Sequence, residues 1–160
     1  MSILGVYAGS FDPPTKGHLD LIDRGARLFS DLVVGIGIHP TRSPLFTVDE
    51  RVSLLRATTR HWPNVRIETF DGLLIDFCRR IGAKVIVRGL RAATDFEYEL
   101  QIAHANADLG PDVETVFLPT RTNYGFVSAS LVREIASHHG DTSRYAAPEV
   151  VAALHAKFSS

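Results

Sequence analysis

Three stretches of the chain carry residue types able to do chemistry, and in each the chemistry is the holding of phosphate. The first reads Gly9-Ser10-Phe11-Asp12-Pro13-Pro14-Thr15-Lys16-Gly17-His18 and passes into a helical pattern at Leu19. Free N–H groups and the positive end of the dipole make a helix N-terminus attractive to anions, and Gly9 and Gly17 allow a ligand close to the main chain. His18 falls at that terminus, where a ring N–H can donate to a phosphate oxygen and the phosphate charge would favour the protonated ring. The plainer reading makes Pro13-Pro14 a rigid turn, Thr15 a helix cap and His18 a surface residue. The stretch contains neither a Walker A pattern nor G-x-G-x-x-G. The second stretch, Arg88-Gly89-Leu90-Arg91, is read as leaving a strand at its carboxyl end, with cationic side chains beside an accessible glycine; the alternative is that its arginines pair with Asp95 or Glu99. The third, Tyr124-Gly125-Phe126-Val127-Ser128-Ala129-Ser130, precedes a helix predicted over Leu131–Ala136, so hydroxyls and free N–H groups meet at its start. A serine cap and a phosphate clamp are compatible there, because both face the same space.

Nothing in the sequence supplies a nucleophile. Cys78 sits in the apolar run Leu74–Cys78 of a predicted helix and is assigned to the core. Trp62, His138, His139 and His155 join no constellation and are assigned to packing or surface, and His39 to a loop surface. Asp95, Glu97 and Glu99 could suggest a carboxylate cage, but they are read at a helix start, where acids favour the dipole. No metal site built by the protein is expected.

The elements that must position these stretches are strands and helices in alternation. Apolar, β-branched runs at Ile3–Tyr7, Leu32–Ile38, Val65–Phe70, Lys84–Val87 and Thr115–Leu118 suit strands buried on both faces. Between them lie helical spacings: Leu19, Ile22, Ala26 and Phe29, then Val52 and Leu55, then Leu73 and Phe77. Thr47 and Glu50 form a capping-box pattern, and Gly82 and Gly110 stand where helix C-caps belong. The predicted fold is α/β: one doubly wound, Rossmann-like, five-stranded parallel sheet with helices on both faces, in a single domain over 1–160. In that architecture ligands lie beyond the carboxyl ends of the strands, where strand order reverses.

Composition narrows the classes. With 160 residues, 45% hydrophobic and 22% charged, the chain can bury a core without disulfides. A lone cysteine and no leader-like start point to a reducing, cytoplasmic setting, and no apolar run approaches the ~20 residues of a membrane span. A net charge of −1 argues against a nucleic-acid partner. The basic residues are mostly Arg, the side chain suited to bidentate phosphate recognition.

Thr15-Lys16-Gly17-His18 has the T-x-G-H form of the nucleotidyltransferase superfamily signature. Together with Gly9-Ser10-Phe11-Asp12-Pro13, Arg88-Gly89-Leu90-Arg91, Asp95-Phe96-Glu97-Tyr98-Glu99 and Phe126-Val127-Ser128-Ala129-Ser130, it makes the chain resemble the phosphopantetheine adenylyltransferases along essentially its whole length. That resemblance implies transfer of AMP from ATP to 4'-phosphopantetheine, giving dephospho-coenzyme A and pyrophosphate in coenzyme A synthesis, with Mg²⁺ accompanying ATP and a homohexameric assembly. Another small nucleotidyltransferase, such as one acting on nicotinate mononucleotide, or a non-catalytic nucleotide-binding regulator, is the alternative.

Residue by residue, the resemblance implies that Ser10 binds the nucleophilic phosphate with the main chain and that His18 contacts the ATP phosphates in the transition state. Arg42, in His39-Pro40-Thr41-Arg42-Ser43-Pro44, stands where the family commonly has Lys and would hold the nucleophilic phosphate with a planar fork instead of a compact ammonium. Asp71-Gly72-Leu73-Leu74 would line the pantetheine arm, chiefly through Leu74. Arg88 is implied on the phosphopantetheine side. Ser10, Phe11, His18, Gly89, Leu90, Arg91 and Glu99, with Tyr124, Gly125, Phe126, Val127, Ser128, Ala129 and Ser130, are implied on ATP. Catalysis would rest on His18, Arg42, Arg91 and Ser130. Ala129 replaces the middle of three serines found in many relatives, removing one side-chain donor and no backbone donor.

Overall fold

The side chains of the central strands divide between two apolar layers, as the two-residue period of a strand requires. Val6, Ala8, Val33 and Ile86 pack into one cluster with Ile75, Phe77 and Cys78; Tyr7, Leu32, Val34, Ile36 and Val87 pack into the other with Leu21, Ile22 and Leu55. Strands buried on both faces need helices on both faces, and the computed structural model, which describes residues 1–159, supplies them.

The order along the chain is β1 (Leu4–Gly9), α1 (Lys16–Leu28), β2 (Asp31–Gly37), α2 (Val48–Thr59), β3 (Val65–Phe70), α3 (Leu74–Ile81), β4 (Val85–Leu90), α4 (Ala93–Leu109), β5 (Glu114–Pro119), a 3₁₀ turn (Thr122–Tyr124), α5 (Ala129–Ser137) and α6 (Pro148–Phe158). The five strands form one sheet of order β3-β2-β1-β4-β5. Every pairing is parallel, with Val6 opposite both Val33 and Ile86. Strand order therefore reverses between β1 and β4, which places the loops after these two strands side by side.

Local signals set the helix ends. Thr15 and Thr47 cap α1 and α2 through capping boxes closed by His18 and Glu50, and Gly82 ends α3 in the left-handed region. Gly110 closes α4 with φ −145, so it is a cap residue without the left-handed turn. Three boundaries differ from the sequence reading. β4 continues through Arg88, Gly89 and Leu90, because these residues pair with Phe117, Leu118 and Pro119 of the edge strand. α5 starts at Ala129, where Ser128 accepts the Leu131 N–H as its cap. Of Asp95, Glu97 and Glu99, only Asp95 lies in the first turn of α4. A third apolar cluster, including Phe46, Val127, Val132, Val150 and Leu154, docks α5 and α6 against α2 and brings the start of α5 to the sheet's carboxyl edge. No helix among the described residues is long and apolar enough to cross a membrane.

Candidate active site

A cleft of about 620 Å³ opens at the switch point, beyond the carboxyl ends of β1 and β4. Ser10, Phe11, His18, Arg42, Leu74, Arg88, Gly89, Arg91, Glu99, Tyr124, Val127, Ser128, Ala129 and Ser130 all line it, from six separate stretches of the chain. Leu90, Gly125 and Phe126 do not. Leu90 lies between Gly89 and Arg91 on an extended strand end, so alternation turns it away. Phe126 is mostly exposed and packs edge-on against Tyr145, and Gly125 closes the 3₁₀ turn.

His18 is held by its own helix start. The Thr15 N–H donates to Nδ1 at 2.9 Å, and the His18 N–H donates to Thr15 Oγ1 at 3.3 Å. Because Nδ1 accepts, the proton of the neutral ring sits on Nε2, leaving that atom as the donor for a ligand. Burial first, and the Arg91 charge second, lower the ring's pKa to about 4. The sequence reading expected a protonated ring on a phosphate and, as its alternative, a surface residue. The ring is instead neutral and partly buried, because burial disfavours the imidazolium and the Arg91 charge repels it.

The loop between β1 and α1 is stiff for reasons the cap alone does not supply. Phe11 is a fully buried residue at φ 51, a left-handed conformation that costs a non-glycine residue roughly 1 kcal/mol. Edge contacts with Tyr7 and His18 hold its ring, and a Cβ on Gly9 would approach that ring at 3.2 Å. The Asp12-Pro13 peptide is cis. The Ser10 and Phe11 N–H groups have no acceptor among the described residues, which leaves them available to an anion.

The arginines after β4 do pair with acids, as the alternative reading allowed, and they still line the cleft. Arg88 meets Glu99 through two bonds, Nε at 2.7 Å and Nη2 at 2.8 Å, and its Nη1 donates to the Ala8 carbonyl at 3.0 Å. Burial works against its charge, but Glu99 outweighs burial and the Arg88 pKa lies above its ordinary value. Two of its five N–H donors remain for a ligand. Glu99 thus faces Arg88, whereas resemblance placed it on the nucleotide. Arg91 lies 3.5 Å from the Asp95 carboxylate, which also accepts the Arg91 and Ala92 N–H groups. Gly89 has a packing role in addition to accessibility, because a Cβ there would stand 2.4 Å from Leu21 Cδ1. Gly89→Ala is expected to lower unfolding free energy by about 1–3 kcal/mol, read by urea denaturation, with Leu21→Ala in the same chain relieving part of the loss.

On the opposite wall, Ser128 caps α5 and Ser130 Oγ accepts from Arg133 Nη2 at 3.2 Å. Arg42 is exposed on the cleft rim, and its side chain makes no ion pair or hydrogen bond among the described residues. Leu73, half exposed, caps α3 and is not a core residue; Leu74 packs against the core and also lines the cleft. The sequence reading missed Tyr7, His39, Tyr98, Ile102 and Thr120 as cleft residues. Tyr98 and Ile102 were within reach of it, since at i and i+4 they share a helix face next to Glu99. His39 was not: it is exposed on its loop, as expected, and only the fold of the segment after β2 brings it to the cleft. Cys78 is buried in the core, and burial pushes its thiol up to about 11. No three His, Cys, Asp or Glu side chains converge as a metal-binding group among the described residues.

The family model for cytidylyltransferase-like proteins matches residues 6–135, a span that runs from β1 into α5 and contains every cleft loop. The protein is therefore a nucleotidyltransferase of the cytidylyltransferase-like class. Over 155 residues it is 52% identical to the phosphopantetheine adenylyltransferase of Heliobacterium modesticaldum, covering 97% of this chain and 92% of the relative. It is 49% identical to the same enzyme of Thermosynechococcus vestitus (98% and 94% covered) and 47% identical to that of Lachnoclostridium phytofermentans (98% and 96%). The chain belongs to the phosphopantetheine adenylyltransferase family. Its backbone also matches the Plasmodium falciparum nicotinic acid mononucleotide adenylyltransferase complexed with NaAD, with TM-score 0.67, 14% identity and coverage of 94% and 93%, a likeness of fold.

Proposed function

We propose that the cleft joins MgATP to 4'-phosphopantetheine, releasing dephospho-coenzyme A and pyrophosphate. A phosphate oxygen of the acceptor attacks the α-phosphorus of ATP, the bond from that phosphorus to the bridging oxygen breaks, and the charge leaves on pyrophosphate. The observation that carries this reading is the convergence on one cleft of two helix N-termini, a neutral His18 donor and three arginines, with no cysteine among the lining residues. Such a set neutralises and aligns two polyanions, and phosphoryl-type transfer needs little else. In this reading Ser10, Arg42 and Arg88 hold the acceptor phosphate, Leu74 lines its uncharged arm, and His18, Arg91 and the Ser128–Ser130 helix start hold the triphosphate. Mg²⁺ would come with the nucleotide, where it would offset part of the triphosphate charge.

Pyrophosphate release from MgATP by the purified protein tests the reading, with 4'-phosphopantetheine and, separately, nicotinate mononucleotide as acceptor. Release only with the first is expected; release with the second would replace the substrate, and release with neither would leave a nucleotide-binding regulator. Arg42→Ala is expected to raise the acceptor KM about tenfold or more, in line with the loss of a charge-assisted bond, with the melting temperature unchanged because the side chain has no partner to lose. The proposed assembly is a homohexamer in the cytoplasm that acts without nucleic acid. Helix α4 supports self-association: none of its 17 residues is fully buried, and Phe96, Tyr98 and Leu109 stand exposed along it.

A further inference from the structure

We infer that Arg51 is a positioning residue that aims the Phe11 N–H at a ligand phosphate; the inference rests on the adenylyl-transfer reading above. Arg51 belongs to the first turns of α2, is only 4% exposed, and does not line the cleft. Its guanidinium reaches beneath the loop after β1. Nη1 donates to the Ser10 carbonyl at 2.8 Å, and Nε donates to the Phe46 and Thr47 carbonyls at 3.2 and 3.4 Å. It forms no ion pair among the described residues, and each of these three bonds goes to a main-chain oxygen.

The consequence follows from the planarity of the peptide unit. In a trans peptide the carbonyl of one residue and the N–H of the next point in opposite directions. Fixing the Ser10 carbonyl on Arg51, a residue that does not line the cleft, therefore turns the Phe11 N–H away from Arg51. That N–H has no acceptor among the described residues, and Phe11 and Ser10 both line the cleft. The left-handed backbone at Phe11 needs such an external hold, since its intrinsic preference is for another conformation. A second tie runs in the opposite sense. The Asp12 carboxylate, itself buried, accepts the Leu45 and Phe46 N–H groups, both at 2.9 Å. Arg51 gives to the first loop what Asp12 takes from the second, and the pair locks the Ser10 loop to the segment that follows Arg42.

The test compares wild type with Arg51→Met, using 4'-phosphopantetheine, pantetheine lacking the phosphate, and inorganic phosphate as ligands. The variant is expected to bind 4'-phosphopantetheine about tenfold more weakly and pantetheine within about twofold of wild type. The Phe11 amide resonance, shifted by inorganic phosphate in wild type, is expected to stay still in the variant. Equal weakening toward both organic ligands, or a wild-type Phe11 response, would overturn the assignment, the first by showing a general loss of structure. If Arg51→Met melts below the assay temperature, Arg51→Lys is read instead, because it keeps the charge and loses the fork; wild-type phosphate responses there would equally overturn it. A wild-type protein that fails to use 4'-phosphopantetheine would remove the adenylyl-transfer reading, whereas the Phe11 response to inorganic phosphate would still decide the role of Arg51.

Discussion

His18→Ala is expected to lower turnover by about 100- to 1,000-fold, the usual effect of removing a preorganised donor to developing phosphate charge. Stability should fall by only about 1 kcal/mol, because the ring also accepts the Thr15 N–H and its loss opens half of the α1 capping box. Steady-state pyrophosphate release and urea denaturation read the two effects separately, and turnover within about tenfold of wild type would remove His18 from the donor role. The protonation state gives a second, independent readout. Folding lowers the ring's pKa from 6.5 to about 4, so between those values the unfolded chain binds the proton more readily. The His18 contribution to stability is whole above pH 6.5 and is lost as pH falls toward 4. In nitrogen-detected NMR of the free protein, His18 should titrate near pH 4 with the proton on Nε2, and saturating MgATP should raise the midpoint. A free-protein midpoint near 6.5 would mean that the ring is solvated and the burial assignment wrong.

Arg88→Met is expected to combine two losses. The acceptor loses its cation, and Glu99, whose side chain is only 12% exposed, keeps a carboxylate with no partner. Breaking one side of a buried pair costs on the order of 3 kcal/mol, whereas removing both sides together is often nearly neutral. The single variant should therefore unfold at clearly lower urea, and Arg88→Met with Glu99→Gln should recover most of that stability while turnover remains at least about 100-fold down. If the double variant is no more stable than the single one, Arg88 and Glu99 do not act as a buried pair. If turnover returns with stability, Arg88 supports the fold and does not hold substrate.

The architecture was readable from the sequence because its determinants are local. The central strands β1 and β2 are contiguous apolar runs, α1, α2 and α5 start at their own capping residues, and the alternation of strands and helices admits a parallel sheet with a switch-point cleft. The motif loops were legible for the same reason: glycines, serines and a histidine at a helix start state their chemistry in a few consecutive residues. What the tertiary structure alone decided involves burial and partners that are distant in sequence. The sequence placed His18 on a phosphate; only the packing around it shows a neutral ring with its tautomer already chosen. It offered Glu99 as a partner of either arginine or of the nucleotide; only the approach of α4 to β4 selects Arg88, eleven positions away. Leu90 and Phe126 carried motif support, yet strand alternation and contact with Tyr145 turn them from the cleft. Arg51 had no motif at all, because its hold on Ser10 spans 41 positions and depends on α2 docking beneath the first loop. Spacing along a chain encodes which residues share a turn or a face, while desolvation and pairing between distant elements arise only when the sheet brings those elements together.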